Sequence, residues 1–127
     1  PDFPELPQVW VSDQYNLFNN LRGENLTESQ VLQRVLQFMN QLKVPGVYQV
    51  GGLGACTLIS KRAIQAGVNF KEIYNISFMG EDRHFCIRAA ALGFELFVDT
   101  HYPAFHIYRL SDLDGLAEFK KRTNQTI

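Results

Sequence analysis

Apolar positions recur at helical spacing in two long stretches. In residues 27–43, Val31, Val35, Phe38, Met39 and Leu42 mark one face, flanked by Leu32 and Leu36. Thr27 is placed as an N-cap, Gln30 completes a capping box, Leu26 and Val31 are placed for a hydrophobic staple, and Pro45-Gly46 ends the helix. In residues 80–92, Phe85, Cys86, Ala89, Ala90 and Leu92 predict a second helix stopped by Gly93. Shorter helices are predicted from Ser60 to Ala66, stopped by Gly67, and from Ser111 to about Arg122. The latter carries Lys120, Lys121 and Arg122 in its last turn, where cations suit the helix dipole. Short apolar runs predict strands at residues 47–50, 55–59, 94–99 and, beyond Pro103, 104–108. Gly51 to Gly54 is a glycine-rich bend, and residues 67–79 read as a loop with turn signals at Val68-Asn69 and Tyr74-Asn75. Residues 1–24 carry Pro1, Pro4 and Pro7, with Trp10, Tyr15 and Phe18 in no clean period. They predict an irregular lead-in with one short helix near residues 13–20.

The predicted class is α/β: a short mixed sheet flanked by helices, with residues 1–46 as a lead-in plus helix and 47–127 as one compact unit. At 127 residues the chain is one domain, large enough to bury about two-thirds of its unfolded surface. An apolar share of 46% against 20% charged argues against disorder. The formal charge of −1 is spread along the chain without a basic stripe, which argues against nucleic acid and anionic membranes as partners. No apolar run approaches the ~20 residues of a spanning helix, and no leader pattern is seen, so the cytoplasm is the expected compartment. Cys56, in a predicted strand, and Cys86, on a predicted core face, are expected to be reduced core thiols.

Few residue groups point to chemistry. Glu81-Asp82 lies on the first turn of the middle helix. Acids there complement the dipole and cap, yet an ionised Asp82 on the edge of the apolar face is also placed to act as a weak general base in a cleft. His106 reads either as a satisfied core histidine or as one ligand of an open metal site. A zinc site from Cys56, His84, Cys86 and His101 is disfavoured, because His84 and Cys86 face different directions on a helix and no C-x₂-C pair exists. Asp112-Leu113-Asp114 is a literal D-x-D, but it opens a helix after Ser111, so capping accounts for it better than metal binding. The Gly51–Gly54 bend lacks the Lys-Ser/Thr and the following helix of a phosphate loop. Its glycines serve either a turn or the close approach of a ligand.

Taken together, Gly51-Gly52-Leu53-Gly54-Ala55, Leu58-Ile59-Ser60-Lys61-Arg62, the run Gly80-Glu81-Asp82-Arg83-His84-Phe85-Cys86-Ile87-Arg88-Ala89, then Gly93-Phe94, Val98-Asp99 and His106 resemble the C-terminal, acceptor-side half of a GT-A glycosyltransferase of the family-two type. The resemblance spans about residues 47–109. It implies that Asp82 deprotonates the acceptor hydroxyl with Glu81 in support, that Gly51, Gly52 and Leu53 line the donor sugar and acceptor, and that His106 is a ligand of Mn²⁺ or Mg²⁺. It further implies a nucleotide-sugar donor, a carbohydrate or other hydroxyl acceptor, and a preceding nucleotide-binding half that holds the metal-binding D-x-D. Pro1 opens the chain without methionine, which accords with an excerpt of such an enzyme. The excerpt alone is expected to be inactive, with an unpaired sheet edge that invites a homodimer. Membrane association is left open for the whole enzyme. A different class competes with this reading: a non-catalytic carbohydrate- or protein-binding module that uses the aromatics from Trp10 to Phe18 as its platform.

Overall fold

The computed structural model describes residues 9–10, 26–76 and 80–123. Among these, the elements run β1 (Val9–Trp10), α1 (Glu28–Gln41), β2 (Val47–Val50), β3 (Gly52–Leu53), α2 (Lys61–Gln65), α3 (Glu81–Ala91), β4 (Leu96–Asp99), a 3-10 helix (Leu110–Gly115) and α4 (Leu116–Thr123). The architecture is mixed α/β.

Helix ends follow the cap residues. The Thr27 hydroxyl accepts the Gln30 amide at 3.3 Å, and the Gln30 side-chain oxygen accepts the Thr27 amide at 2.9 Å, which closes the expected capping box. Ser60 caps α2 by accepting the Ala63 amide at 3.2 Å. Helices α2 and α3 end in the same way. In α3 the Gly93 amide donates to Ala90 and the Phe94 amide to Ala89. In α2 the Gly67 amide donates to Ile64 and the Val68 amide to Ala63. These are Schellman turns, and both glycines take the left-handed conformation the turn requires, Gly67 at φ 96° and Gly93 at φ 83°. Each turn throws the next apolar residue, Val68 or Phe94, back onto the core.

Strands depart further from expectation. The pairing is not mixed: β1 lies antiparallel to β3, with Trp10 opposite Gly52, and β2 lies antiparallel to β4, with Val50 opposite Leu96 and Val47 opposite Asp99. Strand β1 was not expected in an irregular lead-in. No strand forms at residues 55–59, because Cys56 turns left-handed (φ 65°) and the Thr57 hydroxyl donates to the Gly54 carbonyl at 2.7 Å. That leaves Leu58 fully exposed and Cys56 at the surface, so only Cys86 is a core thiol. Residues 104–108 also form no strand. The Asp112 carboxylate accepts the amides of Tyr108 and Arg109 at 2.9 and 2.8 Å, which directs the backbone into a cap instead of a ladder. This is the capping role foreseen for the D-x-D. The last helix begins as 3-10 and becomes α-helical at Leu116.

The core comprises Val50, Ala63, Val68, Phe85, Cys86, Ala89 and Leu96, with Val9, Phe38, Leu53, Ile59, Phe94 and Val98 packed against it. Two members of the expected α3 face lie outside it. Ala90 is five residues from Phe85 and so about 140° round the helix, while Leu92 sits past the last turn. His84 takes a buried place instead. On α1 the apolar face is only half-covered: Val31, Val35, Phe38 and Leu42 are partly buried, whereas Leu32, Leu36 and Met39 are exposed. At the other end of the chain Phe119 is buried beside Phe105, ring centroids 5.0 Å apart.

Gly93 offers a clean test of the turn that ends α3. A Cβ there would meet nothing within 4 Å, so only the left-handed backbone opposes a side chain. Gly93→Ala should therefore cost ~1–2 kcal/mol in urea unfolding with an unchanged m-value, and Gly93→Asn less.

Candidate active site

Helix α3 positions the two acids. Its N-cap is Gly80, at φ 98°, which supplies no side-chain cap. Glu81 and Asp82 are thus first-turn acids rather than caps. Glu81 is exposed, whereas Asp82 is half-buried on the edge of the core face. Burial is the main influence on Asp82, with the neighbouring Glu81 charge second, and both raise its pKa above the ordinary aspartate value. This reverses the expectation of a dipole-depressed, weakly basic carboxylate: desolvation and like charge outweigh the dipole here. A raised pKa makes a better proton acceptor at neutral pH, provided the group remains ionised.

One turn along the same face, Cys86 ties α3 to the glycine bend. The Leu53 amide donates to the Cys86 sulfur at 3.2 Å, and the thiol donates to the Leu53 carbonyl at 3.5 Å. Burial raises the thiol pKa, the Leu53 backbone contact lowers it, and the charge of Asp82 raises it. The Cys86 thiol therefore sits within the field of Asp82 while bonded to Leu53. In this way the structure brings the Glu81–Asp82 turn and the Gly51–Leu53 segment to one side of the molecule. Gly52 is buried in β3, with Gly51 and Leu53 half-buried on either side. Cys86 was read from the sequence as core only. Its backbone contact to a residue 33 positions away carries no local signal.

His106 is not brought to this side by any contact among the described residues. Its ring lies 3.9 Å from that of Tyr108, and its Nδ1 is buried with no hydrogen-bond partner among the described residues. A buried nitrogen left unpaired is costly, and a metal ion would satisfy it. No group of three or more His, Cys, Asp or Glu among the described residues could hold a metal. His106 therefore fits a metal as a single ligand whose companions lie elsewhere. The other histidines and the core thiol are engaged. His84 Nδ1 accepts the Ile73 amide at 3.0 Å, Cys86 meets Leu53, and His101 Nδ1 lies 2.7 Å from Asp99. The amide and then the ring of His101 hold the Asp99 carboxyl below the ordinary aspartate value.

The aromatic platform from Trp10 to Phe18 lies outside the described residues, except for the backbone of Trp10 in β1. No helix among the described residues is long and apolar enough to cross a membrane. Comparisons with family models, with curated proteins and with solved structures found no match.

The burial of Asp82 has a pH signature. Because the folded state holds this proton to higher pH than the unfolded chain does, its contribution to stability is greatest below the ordinary aspartate pKa. That contribution is lost as pH rises through the raised value. Asp82→Asn cannot ionise, so the variant should gain stability relative to the parent from acid to neutral pH. Urea midpoints of the two proteins compared across pH check this, and a constant difference would contradict the burial of the carboxylate.

Proposed function

We propose that this chain is the acceptor-side half of a metal-dependent GT-A glycosyltransferase, which transfers a sugar from a nucleotide-sugar donor to a carbohydrate or other hydroxyl acceptor. The observation that carries this reading is the half-buried Asp82, at the start of a helix whose next turn is bonded to the glycine strand β3. This is the arrangement an acceptor-activating base needs: a carboxylate on a rigid element, beside backbone that a sugar can approach closely. The buried, unpartnered Nδ1 of His106 adds a second, weaker support.

In this mechanism Asp82 accepts the proton of the acceptor hydroxyl as its oxygen bonds to the anomeric carbon and the bond from that carbon to the diphosphate breaks. Glu81, exposed beside it, keeps the basicity of Asp82 high and is free to hold an acceptor hydroxyl. Gly51, Gly52 and Leu53 form the wall beside the sugars, with Gly51 and Leu53 half-buried and Gly52 buried between them. Mn²⁺ or Mg²⁺, held by His106 together with ligands from the nucleotide-binding half, would neutralise charge on the departing diphosphate. On this reading the chain alone lacks a donor site and is inactive. Among the described residues the strand pairs β1·β3 and β2·β4 leave outer edges, which on this reading pair with that half or with a second copy of the chain.

In the complete enzyme, Asp82→Asn should lower turnover ~10²–10⁴-fold with little change in donor binding, as steady-state kinetics and donor titration would read. A near-parental rate would reject the assignment. His106→Ala should raise the Mn²⁺ concentration needed for half-maximal rate while leaving the urea midpoint of the fold nearly unchanged.

A further inference from the structure

Helix α1 carries more apolar surface than the core uses. Its apolar positions fall into two rows. Val31, Val35, Phe38 and Leu42 form one; they are partly buried, and Phe38 packs against the core cluster. Leu32, Leu36 and Met39 form the other, about 100° further round the helix. All three are exposed, Leu32 by 60% and Leu36 by 52%, and no residue of α1 is fully buried. Single exposed apolar side chains are ordinary, but a row repeating at intervals of four and three is the seam along which two helices pack.

Charges stand at both ends of that row. Glu28, four residues before Leu32, is in the first turn of α1, and Lys43, four after Met39, is in the turn that follows the helix. Neither forms an ion pair among the described residues. Uncharged Ser29, Gln33 and Asn40 flank the row, while Arg34, the other charge on α1, lies on the far side of the helix. Acid, Leu, Leu, Met, cation is an order complementary to its own reverse. Turned about a two-fold axis between Val35 and Leu36, the row sets Leu32 against Met39 of a second copy and Glu28 against its Lys43, and the helix dipoles oppose as well. A parallel pair would instead set Glu28 on Glu28 and Lys43 on Lys43. End charges that match the row reversed select a second copy as its occupant and fix the register.

We propose that the exposed row of α1 docks a second copy of this chain, antiparallel about a two-fold axis. Leu32, Leu36 and Met39 form the dry seam, and a Glu28–Lys43 pair closes each end. The inference stands without the glycosyl-transfer reading, and it uses a different surface from the strand edges. Three apolar residues per copy make a small interface, so the dimer should dissociate with a constant on the order of 0.1 mM.

The test is sedimentation equilibrium of the chain from about 10 µM to about 1 mM, a span that brackets this constant. The parent should pass from monomer to dimer. Leu36→Glu, which sets two carboxylates beside the axis, should weaken association at least ~10-fold. Glu28→Lys and Lys43→Glu each bring like charges together at both ends, and each alone should weaken it ~3- to 30-fold. Mixed in equal amounts, those two variants should associate again, because a copy with two cations meets a copy with two acids. Both charged positions are exposed, so the exchange decides the matter even where Leu36→Glu folds poorly, and urea midpoints at low concentration serve as the control. A parent that stays monomeric throughout, as when another segment of the chain or an unrelated protein occupies the row, would overturn the proposal. So would undiminished association in Leu36→Glu, the result strand-edge pairing gives, or a mixture no tighter than its separate components.

Discussion

The contact between the Cys86 thiol and the Leu53 backbone holds the rest of the molecule in register. Strand β3 is two residues long and, among the described residues, pairs only with the equally short β1, so a ladder does little to fix its position. A buried sulfur on α3 that both accepts from and donates to one residue of β3 supplies what the ladder lacks. On its buried side Cys86 belongs to the same cluster as Phe85 and Ala89, and through them α3 meets Val50 and Leu96, the paired residues of β2 and β4. The two strand pairs are thus joined through the helix as well as by direct packing of β3 against β4. Asp82 inherits its position from this arrangement, since it stands one turn from the sulfur on a helix that cannot rotate without breaking the contact.

A second set of contacts ties the segment after α2 to α3. His84 and Arg88 are the polar residues of α3 that look toward the preceding segment, and both are used to accept or donate to its backbone. Backbone groups in a segment without regular structure need such partners once they are partly buried. Stacking of Phe70 on Phe85 covers the apolar gap between the two polar ties. The segment is therefore well anchored up to Ile73, and the exposed Tyr74 begins where the ties end.

Helices were legible in the sequence because their signals are local. Thr27 with Gln30, Ser60 ahead of Ala63, and the glycines at 67 and 93 each act within a few residues of themselves, and each performs the expected task. The acids on the first turn of α3, the glycine bend beside it and the capping aspartate Asp112 were visible for the same reason. Runs such as residues 55–59 and 104–108 have the composition of strands, but a strand exists only if another backbone is there to pair with it. In both runs side-chain bonds, from Thr57 and from Asp112, bind the backbone locally first. The two residues of β1 form a strand in a stretch without period because Gly52 and Leu53 present an open edge to them.

The sequence by itself determined where helices start and stop and which acids stand at the mouth of α3, since caps, dipoles and left-handed glycines are read over one turn of chain. Tertiary structure alone decided the antiparallel pairing, the bond from Cys86 to Leu53, the upward shift in the proton affinity of Asp82, and the placement of Tyr74 against open space. Each of these depends on groups far apart in sequence sharing a few ångströms, and on how much water is excluded between them. That is a property of packing, which no local pattern encodes.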